Sequence, residues 1–161
     1  MSDTETTQSQ LTPAQSIPPG VGVYPSPMSD PYADELTQPF WDAALRGQLV
    51  APKCTNCGTF ILPPQPRCFV CQNDRFDYVD LPGTGVVYSF TIVRHPLAPH
   101  LREVVPYVSA VIQVDGTQGA GARLLLNVIN VEPETVKVGD KVRIIFDKIS
   151  DTLAIPRAVP A

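Results

Sequence analysis

Four cysteines occur in this chain of 161 residues. They stand as two C-x2-C pairs, Cys54 with Cys57 and Cys68 with Cys71, with ten residues between the pairs. Two residues between cysteines let both sulfurs of a pair converge from one tight turn, and two such turns facing each other give a tetrahedron of thiolates that fits zinc. Gly58 follows the first pair, where a knuckle turn needs positive φ, and Pro63, Pro64 and Pro66 stiffen the strap joining the pairs. Sulfur at all four positions leaves no open coordination site for a substrate or an activated water, so the expected metal is structural.

Two disulfides would need an oxidising compartment, and the polar start Met1 to Gln10 has neither the basic beginning nor the apolar run of an export signal. A reduced, cytoplasmic protein is therefore expected. A thioredoxin-like redox motif would use a single C-x-x-C ahead of a helix, whereas two adjacent pairs read as shared ligands. Iron also binds four thiolates, in rubredoxin-like sites, and spacing does not separate it from zinc.

These turns must be held by something, and the rest of the chain shows what. Apolar residues make up 43% of the sequence, and no apolar stretch approaches the ~20 residues that span a bilayer. A formal net charge of −4 argues against a partner held through phosphate contacts. Residues 1–31, rich in Ser, Thr, Gln and Pro, read as a flexible tail whose stretch IPPGVGVYPSP (17–27) is a proline-rich linker or an arm that lies on a partner. Residues 32–48 read as a helical segment, with Leu36, Phe40, Trp41, Ala44 and Leu45 on one side, Thr37 and Pro39 at the start and Gly47 as the stop. That stripe either packs on the neighbouring ribbon or faces a partner.

Residues 49–80 read as the metal ribbon, with short strands at 49–52, 60–62 and 76–80. Such a small module lacks a core of its own, and the metal substitutes for it. Residues 81–161 change texture to β-branched runs at 85–93, 105–114, 122–131, 141–149 and 153–155, with Asp115-Gly116 and Gly119 to Gly121 as turn signals between the second and third. Closing these into one sheet hides every edge, which predicts a five-stranded OB-type barrel. The expected fold is mainly β: a short N-terminal helix, a rubredoxin-like zinc ribbon and the barrel.

Outside the cysteines, no nucleophile motif or phosphate-binding glycine loop is present. The two histidines, His95 and His100, lie with Arg94, Arg102 and Glu103 in one inter-strand stretch. Loops of that kind are where small barrels bind ligands, so Arg94, His95, His100 and Arg102 are candidates for contact with an anionic ligand or a partner.

The order of parts resembles one family. It shows in Pro39-Phe40-Trp41, Gly47-Gln48-Leu49, the C-x2-C-G knuckle, Pro66-Arg67-Cys68, Val105-Pro106-Tyr107-Val108, and Val138-Gly139-Asp140-Lys141-Val142. Over residues 34–160 the chain looks like the zinc-ribbon plus OB-fold acyl-CoA-associated family. The family's usual proline after the third cysteine is replaced by Phe69, which leaves the ligand spacing intact, and the tail lies outside the family pattern.

That resemblance implies a non-catalytic accessory subunit of a thiolase-like (SCP2-thiolase-type) enzyme acting on acyl-CoA thioesters, some partners being aldolases that cleave steroid side chains. By the same analogy the helix with Phe40, Trp41 and Leu45 and the barrel's exposed face would form docking surfaces, and Arg94, His95, His100 and Arg102 would meet the acyl-CoA or the partner. Two other readings belong to different classes. One is a single-stranded nucleic-acid binder stacking bases on Tyr88, Phe90 or Tyr107, and the other an electron carrier with iron at the cysteines.

Overall fold

The computed structural model describes residues 33–96, 99–102, 104–117 and 121–161. The expected tail 1–31, Glu103 and Gly119 lie outside the described residues, as does the side chain of His100. Helix α1 spans Gln38–Leu45. Its start is organised one turn earlier than Thr37 suggests: the Asp34 carboxylate accepts from the Thr37 backbone N–H at 2.8 Å and from its hydroxyl at 2.7 Å. At the other end Gly47 adopts φ +73°, and the N–H groups of Gly47 and Gln48 donate to the carbonyls of Ala44 and Ala43. That double return satisfies the last helical carbonyls.

Strand β1 (Leu49–Cys54) pairs antiparallel with β2 (Phe76–Leu81), in register from Leu49 opposite Leu81 to Cys54 opposite Phe76. The strand expected at 60–62 is absent. Only an isolated bridge joins Lys53 and Phe60, because Pro63 and Pro64 follow at once and offer no N–H to extend a ladder.

The remaining strands are β3 (Thr84–Val93), β4 (Tyr107–Val114), β5 (Arg123–Val128), β6 (Lys141–Lys148) and β7 (Ala154–Pro160). They close into a barrel in the order β3-β4-β5-β7-β6, and the one parallel join, β5 to β7, sets Val128 against Ala158. Strand β4 alternates strictly, with Val108, Ala110, Ile112 and Val114 buried inside. Three boundaries differ from expectation. Strand β4 begins at Tyr107, after Pro106. Strand β5 stops at Val128, and Asn130 then turns the chain at φ +59°. The last strand runs to Pro160 instead of ending near Ile155. Its prolines do not break it: Ala161 N–H donates to Lys141 O, which makes the odd-numbered residues the bonded partners of β6 and leaves Pro156 and Pro160 at positions needing no ladder bond.

Ribbon and barrel share one core. Phe40, Leu49, Ala51, Phe60 and Leu62 pack in the same cluster as Val87, Ile112, Leu126, Val142 and Ala158. Only Cys54, Ile61 and Cys68, with Cys71 and Phe76, form a separate small cluster at the ribbon tip. The result is the mainly β architecture that the sequence predicts: short helix, zinc ribbon and closed five-stranded OB-type barrel. No helix among the described residues is long and apolar enough to cross a membrane. One buried charge stands out. Arg157 on β7 is 2% exposed, donates through Nη1 to Asn127 Oδ1 at 2.7 Å and lies 3.6 Å from Asp147.

Candidate metal centre

Two near-identical turns build the site. In the first, Cys54 N–H donates to Thr59 O and Gly58 N–H returns to Cys54 O; in the second, Cys68 N–H donates to Asn73 O and Gln72 N–H returns to Cys68 O. Both returns need a left-handed residue. Gly58 supplies it at φ +73°, and Gln72 supplies it at φ +60°. Ring closure by β1 and β2 then faces the turns toward each other, because Cys54 ends β1 and stands opposite Phe76.

The four sulfurs lie within 4.8 Å of one another, with Cys54–Cys71 and Cys57–Cys68 Sγ separations of 3.5 Å. A tetrahedral ion with metal–sulfur bonds of about 2.3 Å needs sulfur–sulfur edges of about 3.8 Å, so the arrangement fits a tetrathiolate metal with small adjustment. Cys54 and Cys68 are buried, while Cys57 is exposed.

The thiols are not equivalent. Burial opposes ionisation of Cys54, yet the backbone N–H groups of Cys57 and Asn56, helped by Cys71 and Asn73, draw its pKa down to about 6. Burial pushes Cys68 up to about 11 against the N–H groups of Cys71 and Val70. Cys57 is lowered chiefly by the hydroxyl and backbone of Thr59. Cys54, Cys57, Cys68 and Cys71 would together hold a metal cation, whose charge would favour the thiolate form of all four.

Known proteins carry the same two parts in the same order. A family model for the rubredoxin-like zinc ribbon domain of ChsH2 matches residues 41–77, and one for its C-terminal OB-fold domain matches residues 78–147. A DUF35 domain-containing scaffold protein of Methanocaldococcus jannaschii is 31% identical over 104 residues, covering 64% of this chain and 70% of that protein. The chain belongs to the ChsH2/DUF35 family. A probable enoyl-CoA hydratase alpha subunit of Thermomonospora curvata is 33% identical over 123 residues, which are 76% of this chain but only 37% of that subunit. Among solved structures, a chain of the Ltp2-ChsH2(DUF35) aldolase superposes with a TM-score of 0.69 at 29% identity, covering 81% of this chain and 98% of that one. Family membership and four converging sulfurs together support structural zinc.

Within this ChsH2/DUF35 framework, Asn73 is a residue that motif spacing does not reveal. Its amide donates to Arg75 O at 2.7 Å, to Thr55 Oγ1 at 3.2 Å and to Cys54 Sγ at 3.5 Å, so it ties the second turn to the first. Of the residues expected to dock a partner, Phe40 is buried and spent on the shared core. Trp41 meets it edge-on at 5.1 Å and stays half-buried, like Leu45.

Arg94 forms an ion pair with Glu134 at 2.7 Å, which holds the Glu134 carboxyl below its ordinary value. His95 and Arg102 are exposed, and His100 lies in the 3-10 turn Pro99–Leu101.

Proposed function

We propose that this chain is a non-catalytic accessory subunit that docks onto a thiolase-like enzyme acting on acyl-CoA thioesters, the partner being a retro-aldolase of steroid side-chain thioesters. The observation that supports it most is the solved Ltp2-ChsH2(DUF35) aldolase, of which one chain is covered almost end to end by this one. The same ribbon and barrel recur in a hydratase alpha subunit named for enoyl-CoA and in archaeal scaffold proteins. Because the chain spans only 37% of that hydratase subunit, the shared part is the module common to several assemblies, and the hydratase activity itself is not carried over.

The geometry supports the same reading. A tetrathiolate site offers a metal no free position for substrate, so its work is to hold the ribbon. Trp41, packed against the core, half-buried Leu45, and the exposed side chains of His95 and Arg102 are candidates for partner or thioester contact, with Arg94 available once Glu134 releases it. The nucleic-acid reading gains less. Tyr88 already has one ring face covered by Arg123, and Phe90 packs against the core.

Affinity-tagged full-length chain isolated from its own cells should bring down a thiolase-like protein identified by mass spectrometry. Each subunit alone and the two together are then assayed for cleavage of an acyl-CoA thioester. Turnover by this chain unaided refutes the non-catalytic assignment. Unchanged KM and unchanged complex affinity in the Arg94→Ala/Arg102→Ala double variant remove those two residues from the contact surface.

A further inference from the structure

The outer face of the barrel over β3, β4 and β5 carries side chains that the core does not use. Tyr88 and Leu125 are 50% and 71% exposed. Tyr88 stands at the register shift of β3 between Val87 and Ser89. Arg123 of β5 lays its guanidinium over that ring, with Cζ 3.8 Å from the centroid. Its Nε donates to Oε1 of its cross-strand neighbour Gln113 at 2.9 Å. A guanidinium held by stacking on one face and by Nε at one edge has both terminal nitrogens aligned for a forked acceptor, which is the geometry of a carboxylate.

The charge around it is mixed with cations in excess, the exposed Asp115 carboxylate accepting from Thr84 Oγ1 at 2.7 Å on this face. Lys141 stands opposite Val86 and Arg143 opposite Thr84, both exposed, and residues directly opposite in a sheet share a face. Among the described residues none of Arg123, Lys141 and Arg143 forms a salt bridge. Three cations against the Asp115 carboxylate, beside two exposed apolar side chains, leave this face with excess positive charge in a chain of formal net charge −4. They are spread across four neighbouring strands, roughly 14 Å along the curved sheet at about 4.8 Å per strand. That span exceeds one small anion and suits a patch of protein surface. The turn bearing exposed Val138 is tied to the same area, since Gly139 N–H donates to Val87 O at 2.8 Å.

We propose that this face is a docking surface for an acidic-rimmed protein partner, in which Arg123 receives a partner carboxylate and Tyr88 and Leu125 supply the apolar contact. The proposal rests on the accessory-subunit reading and gives it a location: the occupant is the thiolase-like subunit. It also explains why Leu125 stays uncovered on a strand whose alternate residues Leu124 and Leu126 fill the core.

The test uses the full-length chain and the thiolase-like subunit recovered with it. Affinity is measured by calorimetric titration at low and high salt for wild type, Arg123→Lys, Arg123→Glu and Leu125→Ser, with metal content and thermal unfolding checked for each. Arg123→Lys keeps the charge but loses the stack and the fork, so about thirtyfold weaker binding is expected, as at an interface hot spot. Arg123→Glu should weaken it further and flatten its salt dependence. Wild-type affinity in all three variants overturns the surface and leaves the accessory-subunit reading standing. Recovery of no thiolase-like subunit with the wild-type chain overturns both.

Discussion

Removing the metal, by chelation or by Cys68→Ser, should release the two cysteine turns and leave the barrel and the base of the ribbon folded. The tip has little else to hold it: its separate cluster buries Ile61 fully and Phe76 partly besides the cysteines. Ordering the eleven residues 54–58 and 68–73 costs about 16 kcal/mol at about 1.5 kcal/mol each. Burial of Ile61 and Phe76 contributes about 4 kcal/mol. Zinc binding by four thiolates adds about 13 kcal/mol, which brings the tip to near balance. The ribbon base differs, because Leu49, Ala51, Phe60 and Leu62 sit in the barrel's own core, and burial of each large side chain there is worth about 1.5–3 kcal/mol without any metal. Amide hydrogen exchange separates the two parts. Protection should vanish at Cys54, Gly58, Cys68 and Gln72 and persist through β4 and β5. Retained protection at the turns without metal, or cooperative loss across the whole chain, would refute the division of the core.

Arg157→Ala strands the Asp147 carboxylate in a largely buried place and should cost about 3–5 kcal/mol in urea unfolding; Arg157→Met with Asp147→Leu should recover most of that loss. Gly85→Ala places a Cβ 2.9 Å from Ile112 Cγ2 and against the Gln113 carbonyl, so a loss of about 3 kcal/mol or poor expression is expected. The Asp34 carboxyl is held below its ordinary value by the Thr37 side chain and then the Thr37 backbone N–H. A depressed folded-state pKa stabilises above the unfolded value of 3.8 and loses that contribution as pH falls through the lower folded value. NMR of Thr37 and Gln38 should therefore show the helix start loosening only in acid, and an onset above pH 5 would contradict the assignment.

Much of this molecule is legible from short spacings. Two C-x2-C pairs brought the metal centre into view because ligand convergence within a turn is a local property, and Gly58 marked the first turn for the same reason. Strict alternation on β4 and the turn at Gly116 announced the barrel. Prolines misled at both ends of the problem. Phe60 to Leu62 looked like a strand and is a single bridge, while Pro156 and Pro160 hid a strand that register makes tolerable.

What only the tertiary structure decided are the meetings between residues far apart in the chain. Arg157 is buried against Asn127, thirty residues earlier, and Arg94 is taken up by Glu134, forty residues later. Phe40 is consumed by a core that the ribbon and barrel build together, and Arg123 reaches Tyr88 across an intervening strand. Residue spacing encodes turns and strands because those depend on neighbours within a few positions. Which side chains then share a face depends on strand register and barrel closure, and these are settled when the whole chain packs.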